Sequence, residues 1–159
     1  MERLWAPWRI GYILSDKKER GCIFCNALKA NNDEEKLILY RSKHSFIIMN
    51  LYPYNAGHIM VVPNRHLSSP LELTNEEQLD LFKLVNLGIK TIQKVMKPDG
   101  FNLGMNLGKT AGAGIDDHIH IHIVPRWNGD TNFMSTVSDT KVISEALKET
   151  YNKLRGAIE

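Results

Sequence analysis

Asp117-His118-Ile119-His120-Ile121-His122-Ile123-Val124 alternates imidazole and isoleucine through six consecutive positions. In an extended strand residues i, i+2 and i+4 share a face. His118, His120 and His122 therefore project to one side, and Ile119, Ile121 and Ile123 to the other. The isoleucine side suits a core. One strand histidine is ordinarily a hydrogen-bonded, partly buried side chain, but three together each need a partner that only a polar cluster or a cleft supplies. The stretch predicts a strand, over residues 119–124, with one face packed and the other open to chemistry.

Outward from it, residues 101–107 form a preceding strand, joined by the glycine-rich run Gly108-Lys109-Thr110-Ala111-Gly112-Ala113-Gly114. Residues 37–41 and 45–50 are strand-length segments separated by a polar break at 42–44, where His44 reads as a turn residue, and together they predict a β-hairpin. Leu51 to Gly57 is a Pro/Asn/Gly connection into a third strand, residues 58–62, that stops at Pro63. Leu79, Phe82, Val85, Ile89, Ile92 and Met96 recur every three or four residues and predict a long core-facing helix. Thr74 and Glu77 stand at capping-box spacing before it, and Lys97-Pro98-Asp99-Gly100 closes it. A short helix runs from the cysteine pair to about Ala30, and a C-terminal helix covers residues 142–154. Residues 1–20, with Trp5 and Trp8, read as an irregularly packed aromatic arm. Strands that cluster instead of alternating with helices favour an α+β domain: an antiparallel sheet of about five strands, the long helix packed on it, and the C-terminal helix.

The chain of 159 residues, 43% apolar, is sized for one compact domain. Twenty Lys and Arg against 18 Asp and Glu leave a formal charge of +2, with no block of like charge, which argues against nucleic acid as a partner. No apolar run reaches membrane-spanning length and the first residues do not form a signal peptide, so a soluble, cytoplasmic protein is expected, away from any membrane. The two cysteines stand as Cys22-Ile23-Phe24-Cys25, a spacing shared by metal knuckles and thioredoxin-type redox motifs.

His118-Ile-His120-Ile-His122-Ile-Val124, followed by Pro125-Arg126, resembles the His-x-His-x-His-x-x signature of the histidine triad superfamily of nucleotide hydrolases and transferases. Gly57-His58 before an apolar strand and Pro63, the long helix, and the glycine-rich loop before the triad fall in the family's order. Leu4-Trp5-Ala6-Pro7-Trp8-Arg9 and the ending from Pro125 to Phe133 are similar to its bacterial diadenosine tetraphosphate phosphorylase-like branch. The resemblance implies one such domain over residues 1–159, with 1–20 as an N-terminal arm and 128–159 as a C-terminal extension. It implies that His120 attacks the α-phosphorus of a nucleotide or dinucleoside polyphosphate and carries the nucleotidyl group to phosphate or water. His122 and His58 then act as positioning and charge-stabilising partners. By the same resemblance Asn106, Gly112, Ala113 and Gly114 flank the α-phosphate and Asn50 contacts ribose. A neutral imidazole is a competent nucleophile, and a covalent adduct replaces one hard displacement by two easier ones.

Gly-Lys-Thr within the loop is not a Walker motif, because Gly104 and Gly108 enclose three residues instead of four and a strand follows instead of a helix. In the diadenosine triphosphate hydrolase branch a glutamine stands four residues before the first triad histidine, where this chain has Gly114. That departure bears on leaving-group contacts and on the acceptor. Cys22 and Cys25 with His66 and His118 could complete a Cys₂His₂ tetrahedron around a structural zinc ion, a pattern seen in triad relatives. A reduced buried pair and a redox pair are the other readings of the cysteines. A homodimer follows from the resemblance. Rival functions are a nucleoside phosphoramidate or general nucleotide hydrolase using the same adduct, and a non-catalytic nucleotide-binding interaction module.

Overall fold

The computed structural model describes residues 21–112, 118–131, 143 and 145–159; the aromatic arm, Ala113, Gly114 and the start of the expected C-terminal helix lie outside them. Helices α1 (Ile23–Lys29) and α2 (Asp33–Lys36) lead into strands β1 (Ile38–Arg41), β2 (Ser45–Met49) and β3 (Ile59–Pro63). The long helix α3 (Asn75–Met96), β4 (Gly100–Gly104), β5 (Ile121–Arg126) and α4 (Leu147–Ala157) follow. The five strands pair antiparallel, as the α+β reading anticipates, and stand in the order β1-β2-β3-β5-β4.

β2 and β3 are central, and every residue of both is buried. Their alternate side chains feed two cores. Ile47, Met49, Ile59 and Val61 join Ile121 and Ile123 beneath α3 and α4, where Leu81, Val85, Ile92 and Leu154 close the cluster. Phe46, Ile48, Met60 and Val62 face the other way, onto Phe24 and Ala27 of α1. That second face is also the histidine face, so α1, the helix that carries the cysteines, lies beside the triad.

The capping box is present at the start of α3. Thr74 Oγ1 accepts from the Glu77 N–H at 3.2 Å, and the Thr74 N–H donates to Glu77 Oε2 at 2.8 Å. Arg65 adds two bonds of 2.9 Å to the same carboxylate, which holds Glu77 down to about 2. The helix ends at Lys97, in a left-handed conformation (φ 48°) just before Pro98.

Of the expected core-facing stripe, Val85 and Ile92 are buried and Ile89 and Met96 pack against the core, but its first two residues face outward. Leu79 and Phe82 are 58% and 61% exposed, while Leu81, Leu84, Val85, Gly88, Thr91 and Ile92 are buried. Leu79 stands about 200° round the helix from Leu81, so the two cannot share a face. Gly88 and Thr91 disguise the true stripe because neither counts as apolar. Thr91 satisfies its hydroxyl on the Leu87 carbonyl at 2.8 Å, and a Cβ at Gly88 would come within 2.7 Å of Ile59 Cδ1. Glycine there lets α3 lie close on the sheet.

Other boundaries shift by a few residues. β5 begins at Ile121 instead of Ile119, because the Ile119 N–H bonds to the Leu67 carbonyl at 2.9 Å and not to a neighbouring strand. The last helix starts at Leu147 and runs past Leu154 to bring Tyr151, Leu154 and Ile158 into the core. Among the described residues no helix is long and apolar enough to cross a membrane.

Candidate active site

The three triad histidines share a side as the alternation predicts, while Ile119, Ile121 and Ile123 enter the helix-side core. Their surroundings differ. His118 is wholly buried and His120 is only 5% exposed, whereas His122 is partly open and lines a cleft. Phe24 covers both inner rings, with centroids 5.5 Å from His118 and 5.0 Å from His120. His120 thus faces less open space than an exposed ridge would give it. Its ring centroid lies 4.7 Å from that of His122, so a group seated against His122 lies beside His120 as well.

Hydrogen bonds determine where each proton resides. His120 Nδ1 donates to the His118 carbonyl at 3.0 Å, which places its proton on Nδ1 and leaves the Nε2 lone pair without a partner among the described residues. The Tyr54 N–H donates to His58 Nδ1 at 3.1 Å, so neutral His58 carries its proton on Nε2. That Nε2–H donates to His122 Nδ1 at 2.9 Å, which in turn puts the His122 proton on Nε2. A lone pair on His120 and an N–H on His122 stand side by side. Burial, then the neighbouring His122 and His120, pushes His58 down to about 3; burial, then His120, pushes His122 down to about 4. Burial also lowers His120. All three rings are therefore neutral near pH 7.

Asn50, expected at the ribose, lies beside His58, and Asn106, expected at the α-phosphate, lines a cleft with His122. The Asn50 N–H donates to the His58 carbonyl at 3.0 Å, and Asn50 Oδ1 accepts from the Tyr52 N–H at 2.9 Å. Asn106 Nδ2 donates to the Gly112 carbonyl at 3.4 Å, which closes the start of the glycine-rich loop. Gly112 itself has φ +84°, a conformation that favours glycine. Beside them a cleft of about 560 Å³ is lined by Tyr54, Asn102, Gly104, Asn106, His122 and Arg126. His44 lies in the turn between β1 and β2, as anticipated, with its N–H on Asp80 at 3.1 Å.

On the far side of His118, Cys22, Cys25 and His66 gather. The four candidate ligand atoms lie within 4.8 Å of one another, with Cys22 Sγ 3.3 Å and Cys25 Sγ 3.6 Å from His118 Nδ1 and Cys25 Sγ 3.4 Å from His66 Nδ1. Tetrahedral zinc with two sulfur and two nitrogen ligands has ligand-to-ligand edges of roughly 3.3 to 3.8 Å. His118 Nε2 donates to the Pro63 carbonyl at 2.8 Å, which fixes the tautomer and turns the Nδ1 lone pair toward the sulfurs. These residues can hold a metal ion.

Several contributors carry no periodic signal in the sequence. Tyr54 sets the His58 tautomer through its backbone and lays its ring over His58 and His122, with centroids 4.5 and 5.9 Å away. Buried Asn55 donates to the Pro125 carbonyl at 3.0 Å and to Asp130 at 2.7 Å, tying this loop to the end of β5. Arg126 grips the same Asp130 through Nε at 2.6 Å and Nη2 at 3.0 Å and holds its carboxyl far below the usual range. The proximity of Tyr54 and Asn55 to His58 in the chain was the available hint.

The HIT domain model matches residues 31–129. An AP-4-A phosphorylase of Mycobacterium tuberculosis is 39% identical over 157 residues, covering 94% of this chain and 80% of that protein. The crystal structure of a hypothetical histidine triad nucleotide-binding protein from Sulfolobus tokodaii superposes with a TM-score of 0.68 at 32% identity, covering 86% of this chain and 89% of the other. A Zn-bound histidine triad family protein from Mycobacterium smegmatis superposes at 0.71 and 24% identity, covering 87% and 93%, a likeness of fold.

Proposed function

The chain belongs to the HIT domain family, and from that premise we propose that it is a nucleotide-binding enzyme that cleaves dinucleoside polyphosphates such as diadenosine tetraphosphate at the α-phosphate. The observation that carries this reading is the directed hydrogen bonding of the site. It presents an unprotonated His120 Nε2 beside a proton-bearing His122 Nε2.

In the first half-reaction the His120 Nε2 lone pair forms a bond to the α-phosphorus. The bond from that phosphorus to the bridging oxygen breaks, and the leaving polyphosphate departs with its electron pair. The His122 Nε2–H hydrogen-bonds to phosphate oxygen as charge moves onto it. The new positive charge on the His120 ring is stabilised by its Nδ1–H bond to the His118 carbonyl. In the second half an oxygen of inorganic phosphate or water attacks the same phosphorus, the N–P electron pair returns to His120, and the proton of the attacking oxygen is released to solvent. Asn106 and the glycine-rich loop, including Gly112, Ala113 and Gly114, are assigned to the α-phosphate, and Asn50 to the ribose.

Cys22, Cys25, His66 and His118 would hold zinc, which with four protein ligands has no open position and supplies structural cross-linking. The cysteines are then reduced, consistent with a cytoplasmic setting. A homodimer of one domain per chain belongs to the same reading, supported by the exposed Leu79 and Phe82 on α3 and by β4 at the sheet edge.

The 5% exposure of His120 favours one rival, a nucleotide-binding module without useful catalysis. Incubation with diadenosine tetraphosphate, with and without inorganic phosphate, separates the two. ADP plus ATP marks phosphorolysis and AMP plus ATP marks hydrolysis. Nucleotide affinity with no released mononucleotide at any phosphate concentration marks the module.

A further inference from the structure

The direction of the His58–His122 bond is decided in the loop between β2 and β3, residues 50–57, which has no ladder of its own. Were the Tyr54 N–H to move out of reach of His58 Nδ1, that ring could carry its proton on either nitrogen. With the proton on Nδ1, His58 Nε2 becomes an acceptor facing His122 Nδ1. His122 must then carry its own proton on Nδ1 to keep their bond of 2.9 Å. Its Nε2 becomes a bare lone pair beside that of His120, and the donor to a phosphate oxygen is gone. The Asn50 amide nitrogen, 3.5 Å from His58 Nε2, favours this reversed state, because an N–H there calls for an acceptor. The choice therefore rests on where Tyr54 is held.

A carboxylate from beyond β5 holds it. Asp130 Oδ2 accepts from Asn55 Nδ2 at 2.7 Å, from Arg126 Nε at 2.6 Å and from the Trp127 N–H at 3.3 Å, and Oδ1 accepts from Arg126 Nη2 at 3.0 Å. Gly129, at φ +77°, lets this turn close, with the Asp130 N–H on the Trp127 carbonyl at 3.1 Å. The Asp130 side chain is 8% exposed and Asn55 6%, so these are charge-assisted bonds shielded from water. Asn55 Nδ2 donates its other hydrogen to the Pro125 carbonyl at 3.0 Å. With two acceptors before it, the amide cannot turn round without setting Oδ1 against both. The Asn55 carbonyl in turn accepts from the His58 N–H at 3.2 Å. Asn55 is thus fixed through side chain and backbone, and Tyr54 is its neighbour in the chain.

We propose that Asn55 and Asp130 are positioning residues for the reaction. Together they clamp the loop so that the Tyr54 N–H selects one tautomer of His58, and through it places a proton on His122 Nε2. This rests on the proposed cleavage at the α-phosphate and adds that the donor facing the phosphate is set from outside the histidine-rich stretch.

The test records ring-nitrogen spectra of protein labelled with nitrogen-15 in its histidines, in which protonated and unprotonated nitrogens resonate apart, beside turnover of diadenosine tetraphosphate at neutral pH. Wild-type protein shows His58 and His122 protonated on Nε2 and His120 on Nδ1. Asp130→Asn sets an amide among the donors, and Asn55→Leu removes the bridge at similar volume. Both variants turn His58 and His122 to mixed tautomers and leave His120 unchanged. In both, kcat falls about tenfold or more, toward the loss of one transition-state donor, while KM moves less than about threefold. Thr91→Val, which removes a buried hydroxyl bond on the helix side of the sheet, moves none of these. Asp130→Glu and Asn55→Gln, which displace the same groups by one methylene, take the place of a first variant that does not fold. A single Nε2–H tautomer kept at His58 and His122 in the folded variants overturns the clamp, as do mixed tautomers in wild-type protein or an equal change in Thr91→Val. If wild-type protein has the expected tautomers but releases no mononucleotide, the cleavage reading fails alone, and the spectra of the variants still decide the clamp.

Discussion

His58 and His122 form a relay whose direction is set by one backbone amide, that of Tyr54. Both rings must remain neutral for it to hold, and that has a consequence for stability. In the unfolded chain each imidazole binds a proton near pH 6.5. In the folded protein His122 does so only near 4 and His58 only near 3. Between those values the unfolded state binds more protons, so stability is full above about pH 6.5 and is lost as the pH falls toward 4 and 3. Each ring contributes at most about 1.4 kcal/mol per pH unit. Urea unfolding at pH 7 and pH 5 should show a loss of about 2 kcal/mol or more, and equal midpoints would contradict the burial of two neutral rings. His58→Asn should shrink that pH dependence. The triad and its facing were legible from strict alternation, whereas His58 entered only through the family resemblance, its place at the start of a strand carrying no signal of its own. The relay was not legible, because it depends on an N–H that every residue possesses and on a ring turned by tertiary contacts. Phe24, which covers His120, was hidden inside a motif read for its cysteines.

Among the elements, α3 shows where local signals suffice. Its start was marked by Thr74 and Glu77 and its end by Lys97-Pro98, because caps are chemistry between near neighbours. Its buried face was read correctly at Val85, Ile89, Ile92 and Met96 but wrongly at Leu79 and Phe82, because those two are as apolar as the buried Leu81 and Leu84 and only packing against the sheet decides between them. Glu77→Ala removes the side-chain half of the capping box, keeping the bond from the backbone N–H of residue 77 to Thr74 Oγ1, and strips Arg65 of its carboxylate partner while leaving it the Glu72 carbonyl, so a loss of about 1 to 2 kcal/mol is expected in chemical denaturation. Leu79→Ala, on the exposed side, should cost under about 0.5 kcal/mol in a monomer. A larger loss that grows with protein concentration would identify that face as part of the proposed dimer. Gly57 is constrained twice, by φ +78° and by Met96 Sδ standing 2.6 Å from where a Cβ would be. Gly57→Ala should therefore destabilise by about 1 to 3 kcal/mol and disturb the loop that presents Tyr54 to His58.

Across the whole molecule, two centres meet at His118. Its Nδ1 faces the cysteines and its carbonyl holds His120, so the candidate metal ligands and the candidate nucleophile are two residues apart on one backbone. Elemental analysis should find about one zinc per chain in the native protein. Cys22→Ser should lower both that content and the thermal midpoint, and a metal-free native preparation of full stability would contradict the zinc assignment. An antiparallel sheet of about five strands followed from where apolar residues alternate, whereas the strand order, the division of the interior into two cores and the meeting of Cys22 with His118 depend on how the helices dock on the two faces of the sheet. The central claim is that His120 carries the nucleotidyl group. The most direct test mixes the protein with diadenosine tetraphosphate without inorganic phosphate, quenches in alkali during turnover and maps the modified peptide by mass. An adenylyl group on His120, absent in His120→Asn, is the predicted result; steady turnover with no adduct, or undiminished turnover in His120→Asn, would contradict it.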